Sequence, residues 1–256
     1  MTSSLIKMYR QVENYFFSGI STETLSVDEN AIAYMTEVPV ADLNLVYLKQ
    51  APESFIDTLN KSKMFFASKN LSFVVIMPDE LCSSQIDNIL IDNGCCKSGS
   101  SVAMVCDVNN IKDITESFNL DAGISIKSHD VNLNDWMLPL IGAFDSTKEI
   151  SSIYASRHEA ALTKNANLSH YSLYKNNKPI SSITLSIHDG IARIDDVGTL
   201  PEYQKQGYAT LLIKFVLIQA IKMNAKYCFL ESSASGLGVY EKLGFKKLFE
   251  NNIYTY

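Results

Sequence analysis

The segment Asp195-Asp196-Val197-Gly198-Thr199-Leu200-Pro201-Glu202-Tyr203-Gln204-Lys205-Gln206-Gly207-Tyr208-Ala209 concentrates the groups most able to do chemistry. It reads as a strand, a short turn, a small-residue loop and then a long helix. A helix N-terminus exposes backbone N–H groups and the positive end of the dipole, an anion site best suited to phosphate. Gly207 and Ala209 let a bulky diphosphate approach the backbone, and Lys205 adds a positive charge. Gly198 inside a strand points to a bulge or a close backbone approach. The plainer reading is a glycine-containing turn before a core helix. A P-loop does not fit, since no Gly-Lys-Ser/Thr follows. A Rossmann loop does not fit either, since Gly-x-Gly-x-x-Gly is missing and the preceding strands form a meander.

Other polar residues read more blandly. His129, His158, His170 and His188 show no metal-ligand spacing, so they read as surface or packed histidines and no metal is expected. Ser232, Ser233 and Ser235 show no Ser-His-Asp arrangement. Cys82, Cys95, Cys96, Cys106 and Cys228 are odd in number and lack paired spacing, which reads as reduced, mostly buried thiols of a cytoplasmic protein.

The elements that must position these groups fall into two halves. In the first, Leu43–Leu48, Phe73–Met77 and Val102–Val105 read as strands. Helices are expected from Pro52 to about Ser62 and over Leu81–Ile91, the second stopped at Asn93-Gly94. A polar stretch, 107–123, with a short periodic piece around Ile111–Phe118, places a domain boundary near residue 120. In the second half, Leu133–Phe144 reads as a helix interrupted by Pro139, and Ile150–Ala161 as another. Leu168–Tyr174, Ile180–Ile187 and Ile191–Thr199 alternate, with turns at Asn176-Asn177 and Asp189-Gly190, and so make an antiparallel meander. A helix, apolar almost all round, follows Gly207 to about Asn224. After it come a strand at Tyr227–Leu230, a short helix at Leu237–Leu243 ending on Gly244, and a closing hairpin around Asn251-Asn252.

The 256 residues carry a net charge of −6 with no dense basic run, a poor match to DNA or RNA. With 46% hydrophobic residues, 11 glycines and 6 prolines, the chain has a normal core and is neither disordered nor collagen-like. Met1–Arg10 has no apolar block of signal-peptide type, and Ala209–Ile221 is too short to span a bilayer. No nucleic-acid or membrane partner is expected.

Two motifs together resemble the GCN5-related N-acetyltransferase (GNAT) family. The family signature Gln/Arg-x-x-Gly-x-Gly/Ala, after a strand ending in x-x-Pro, matches Gln204-Lys205-Gln206-Gly207-Tyr208-Ala209 after Thr199-Leu200-Pro201. A strand, a small-residue loop and Tyr-x-x-x-Gly-Phe match Phe229-Leu230, Glu231–Gly238 and Tyr240-Glu241-Lys242-Leu243-Gly244-Phe245. The resemblance covers roughly 165–256, and 121–256 on its widest reading. The first half looks like a degenerate partial copy of the same fold without the diphosphate loop. The resemblance implies an α/β (α+β) fold with a mixed, mostly antiparallel central sheet flanked by helices. It places a GNAT domain over 121–256 and a smaller α/β domain over 1–120.

The resemblance further implies that a splayed pair of parallel strands holds acetyl-CoA. Val197, Gly198 and Thr199 would offer backbone groups to the pantetheine arm. Gln204, Lys205, Gln206, Gly207, Tyr208 and Ala209 would wrap the diphosphate, with Ser233 and Tyr240 near the thioester sulfur. The implied reaction is direct attack by an amine of a small molecule, amino acid or peptide in a ternary complex, with Tyr240 protonating the departing thiolate. A protonated amine also needs a base or a water chain. Asp195 and Asp196 are the candidates. Strand alternation sends at most one of them into the cleft, Asp195 by its phase with Val197 and Thr199, unless a bulge changes the count. A solvated or arginine-paired aspartate is the plainer reading for each. Arg193 stands where some family members carry a glutamate, which counts against a direct carboxylate base there. Trp136, Phe144 and Tyr154 fall where the family places acceptor-binding helices, with core packing as the default. The alternative reading is a non-catalytic acyl-CoA-binding sensor or interaction module. A homodimer is left open.

Overall fold

A computed structural model describes residues 2–111 and 118–256. Most of the periodic piece expected around Ile111–Phe118 lies outside the described residues. By contact, the chain divides into two compact units: Met1–Gly19 with Met104–Leu248, and Ile20–Ala103 with Phe249–Tyr256. Each is discontinuous in sequence, whereas the boundary expected near residue 120 is a single cut.

In the smaller unit, β1 (Glu23–Ser26), β2 (Ala31–Met35) and β3 (Asn44–Leu48) form an antiparallel meander. The helix Phe55–Ala67 then crosses over to β4 (Val74–Pro78), which pairs with β3 in parallel. Both strands of that pair are buried along their length, as their continuous apolar runs require. Val46, Leu59, Phe66, Phe73 and Val75 share the unit's core. The helix Ser84–Asp92 follows, capped by the Ser83 hydroxyl, and then β5 (Cys96–Asp107), which has residues in both units.

In the larger unit, β6 (Ile124–His129), β7 (Leu168–Lys175), β8 (Lys178–His188) and β9 (Ile191–Thr199) pair antiparallel in that order. β10 (Tyr227–Ser232) is next in the row, parallel to β9. Asn176 and Asn177 have φ of 50° and 66°, and Asp189 and Gly190 have 49° and 71°. Both φ values positive in each pair is the turn that matches strand twist, so these hairpins form where the sequence puts them. The helix Tyr208–Lys222 crosses from β9 to β10, and the helix Leu237–Lys242 ends before Gly244, whose φ is 87°. The helix Asn134–Ala143 runs through Pro139 without a break and buries Trp136 and Leu140 with Ala155 of the helix Lys148–Thr163.

Two features differ from expectation. The helix Thr2–Ile20 is not among the expected elements, although Tyr9, Val12, Phe16 and Ile20 recur at helical spacing and are buried. The closing hairpin does not form. β11 (Lys246–Thr255) is one strand, and Asn251–Thr255 pair antiparallel with β4. The two asparagines have side-chain partners instead of a turn: Asn251 Nδ2 donates to Tyr47 Oη at 2.8 Å and Asn252 Nδ2 to Cys82 Sγ at 3.0 Å. Among the described residues, no helix is long and apolar enough to cross a membrane.

Candidate functional site

The parallel pairing of β9 and β10 covers only Ile191–Arg193 against Tyr227–Phe229. Both strands continue past it, β9 to Thr199 and β10 to Ser232. A cleft of about 610 Å³ lies in this region, lined on one side by Ile194, Asp195, Asp196, Val197 and Thr199, and on the other by Glu231, Ser233 and Tyr240. The volume is in the range of small-molecule sites. β9 holds one extra residue here. Thr184 faces Asp195, yet Ser182 faces Gly198, and Asp196 takes a left-handed φ of 55°. This bulge breaks the alternation, so Asp195 and Asp196 both line the cleft, not one of them.

The floor of the cleft is the start of the helix Tyr208–Lys222. Gly207 is its N-cap with φ of 86°, and a Cβ there would meet nothing within 4 Å. Glycine is therefore needed for backbone conformation, not for space. No side chain caps this helix, and its first turn holds no acidic residue. The Leu211 N–H bonds to the Gly207 carbonyl at 2.9 Å, so the amides of Tyr208, Ala209 and Thr210 have no intrahelical acceptor. Gln204, Lys205, Gly207, Tyr208, Ala209 and Thr210 line the cleft, and Gln204 Nε2 is tied to the Thr199 carbonyl at 3.0 Å. Lys175, missed in the sequence, donates to Tyr208 Oη at 2.6 Å and brings a further positive charge to this rim. Two expected residues lie elsewhere. Gln206 is exposed and bonds the Glu202 carbonyl, and Gly198 packs beneath the helix Asn134–Ala143. A Cβ on Gly198 would stand 2.7 Å from Leu140 Cδ2 and 3.0 Å from Ala143 Cβ, so this glycine serves a close approach.

The two aspartates have different partners. Asp195 is held by Arg193, whose Nε lies 3.0 and 2.9 Å from its two oxygens and whose Nη2 lies 2.9 Å from Oδ1. Arg193 is fully buried against the rings of Tyr9, Phe16 and Phe17. Asp196 Oδ1 accepts from Tyr154 Oη at 2.7 Å, and its Oδ2 lies 3.7 Å from His158 Nε2. Burial pushes both carboxyls up to about 6; Arg193 opposes this at Asp195 and the Tyr154 hydrogen bond opposes it at Asp196. Glu231 accepts from Tyr9 Oη at 3.2 Å. Glu13, on the N-terminal helix, is pushed up to about 7 by burial. Tyr240 is buried on the cleft wall, and burial with the nearby Asp195 holds its hydroxyl well above the usual phenol range, so it stays protonated. Ser233 lines the cleft and shares a hydrogen bond with Ser235. Trp136 is fully buried, as the packing default expects, while Phe144 lines the cleft and is 60% exposed.

A model of the acetyltransferase (GNAT) family matches residues 134–245. The chain carries a GNAT-family domain. The match encloses β7 to β10, the loop 204–209 and Tyr240. Solved structures match over most of the chain. A GCN5-related N-acetyltransferase from Kribbella flavida is 14% identical, with TM-score 0.68 over 96% of this chain and 94% of that one. A conserved protein of unknown function from Staphylococcus epidermidis is 14% identical, with TM-score 0.67 over 92% and 94%. A tandem GNAT protein from the clavulanic acid biosynthesis pathway is 10% identical, with TM-score 0.60 over 88% and 78%. At these identities the likeness is one of fold, and it extends through the N-terminal half as a partial copy of the GNAT fold. No curated protein matches the sequence.

Proposed function

We propose that this chain is an acetyl-CoA-dependent N-acetyltransferase whose acceptor is an amine of a small molecule, amino acid or peptide. The observation that carries the reading is the uncapped helix start at Gly207, facing the same cleft as the buried Tyr240. Amides 208–210, Gln204 and Lys205 suit the diphosphate of coenzyme A, and Lys175 adds charge at the rim. Val197 and Thr199 border the path of the pantetheine arm. Ser233 lies at the sulfur end of the cleft. The carboxylates of Asp195, Asp196 and Glu231 favour a cationic acceptor. The unpaired cysteines fit a reducing, cytoplasmic setting.

In the reaction, an aspartate of the cleft accepts a proton from the acceptor ammonium. The freed nitrogen lone pair bonds to the thioester carbonyl carbon. The C–S bond breaks, and the sulfur leaves with its electron pair and takes the Tyr240 proton. Tyr240 is reprotonated by the second proton the nitrogen sheds. Holding both reactants together supplies much of the rate, about 7–11 kcal/mol at best.

Incubation of the purified chain with acetyl-CoA and an amine panel should release free thiol. Tyr240→Phe should lower kcat about 100-fold while calorimetry shows acetyl-CoA affinity within about twofold of wild type. The pairing of Asp195 with Arg193 removes one ready base, and this favours a second reading, a non-catalytic acyl-CoA sensor. That reading requires binding without thiol release for any amine. Absence of acetyl-CoA binding by the folded chain would sink both.

A further inference from the structure

We infer that Asp196, and not Asp195, takes the ammonium proton, and that Tyr154 and the His158–His170 pair are the residues that position it. This rests on the acetyltransferase reading above. The two carboxylates are neighbours in the chain and share a cleft, so the difference between them lies in their partners.

Both oxygens of Asp195 are engaged by a guanidinium that three rings hold in place. Protonating Asp195 would take from a buried arginine the one carboxylate that Nε and Nη2 both bond, which is unfavourable. Asp195 is therefore the fixed partner of Arg193. Asp196 is anchored by neutral donors instead, Tyr154 and the Thr184 hydroxyl. Tyr154 donates to Oδ1, while Oδ2 is buried. The side chain lines the cleft with Oδ2 turned away from solvent, so the second lone pair of Oδ1 is the one left for an N–H at the cleft wall.

His158 is what faces Oδ2 from inside the fold. Its ring is fully buried, with Trp136 at 4.7 Å and Tyr154 at 4.6 Å between centroids, so it cannot turn freely. Its Nδ1 lies 2.9 Å from His170 Nε2, and His170 is also fully buried. Burial pushes His158 down to about 3 and His170 down as well, so both rings are neutral at pH 7. One proton then sits between the two rings. If His158 gave it, the lone pair of His158 Nε2 would face the charged Oδ2. If His170 gives it, His158 carries its proton on Nε2, and an N–H dipole faces the carboxylate. Charge on Asp196 selects the second tautomer. The outcome is a neutral donor that orients the carboxylate without cancelling its charge, as Arg193 does for Asp195.

The groups facing Asp196 are Tyr154 and His158 from the helix Lys148–Thr163, Thr184 from β8, and Arg193 and Asp195 on its own strand. With Asp196 as base, kcat/KM falls as pH drops through about 6. The test is the pH profile of thiol release with one active amine. Asp196→Asn should lower kcat at least 100-fold with acetyl-CoA affinity unchanged. Tyr154→Phe removes a donor to the charged form, so its acid limb should move to higher pH, with activity recovered in alkaline buffer. His158→Gln, which keeps an N–H donor, should retain more kcat than His158→Leu at equal KM for acetyl-CoA. Nitrogen NMR of the wild-type ring should find the His158 proton on Nε2 at pH 7. A wild-type acid limb and kcat in Asp196→Asn, an unmoved limb in Tyr154→Phe, or a proton on His158 Nδ1 overturns this assignment while leaving the acetyltransferase reading intact. A wild type inactive on every amine overturns that reading, and the assignment falls with it.

Discussion

Two helices in this molecule each cross over between a pair of parallel strands, Phe55–Ala67 between β3 and β4 and Tyr208–Lys222 between β9 and β10. In the first, Ser54 is the N-cap and its hydroxyl accepts from the Asp57 amide, while the Asp57 carboxylate sits in the first turn. In the second, Gly207 is the N-cap, no side chain caps, and Thr210 stands at the position of Asp57. The strands differ in the same sense. β3 is buried throughout and ends at Leu48, next to its last parallel pair at Tyr47. β9 runs on from Arg193 to Thr199 and bulges, presenting polar groups to a cleft. The crossover topology is shared, so it cannot be what makes a site. The difference is whether the chain satisfies its own helix N-terminus or leaves the amides for an anion.

Making the second helix resemble the first should break the site. Thr210→Asp places a carboxylate where Asp57 stands in the other copy. Negative charge in a first turn stabilises the helix, so the fold should hold. A like charge facing a diphosphate costs several kcal/mol, so the Kd for acetyl-CoA should rise about 100-fold by calorimetry. Unchanged affinity would mean the amides do not hold the anion. A smaller effect is expected where β9 gives up a side chain for helix contact. Gly198→Ala puts a methyl against Leu140 and Ala143 and should lower unfolding stability by roughly 1–3 kcal/mol in denaturant titration. No loss would show that the helix Asn134–Ala143 shifts freely, and that β9 gains nothing from its glycine.

Local signals were legible where local chemistry decides the outcome. The turns at Asn176-Asn177 and Asp189-Gly190, the end of the helix Leu237–Lys242 at Gly244, and the loop around Gly207 all depend on residues tolerant of positive φ. What stayed hidden depends on partners distant in the chain. The stripe of the helix Thr2–Ile20 is interrupted by Glu13, which makes sense only beside Arg193 and Arg10. Asn251-Asn252 mimics a turn until Tyr47 and Cys82 are in place to receive the side chains. Pairing rules alone could not put both aspartates in the cleft, because the bulge at Asp196 is a non-glycine residue in a left-handed conformation.

The mildest change tests the comparison from the other side. Ser54→Ala opens the N-terminus of the helix Phe55–Ala67 by removing its hydroxyl acceptor from the Asp57 amide. Loss of such a cap costs about 1 kcal/mol of stability. The Asp57 carboxylate remains in the first turn, and no glycine in a left-handed conformation precedes the helix, so its charge should still repel a diphosphate from the freed amide. Denaturant titration should therefore show the stability loss, while calorimetry shows one acetyl-CoA site with its wild-type Kd. A second acetyl-CoA site in Ser54→Ala would mean that the cap alone separates the two copies. A single site would assign the difference jointly to the cap, the first-turn charge and the backbone turn at Gly207.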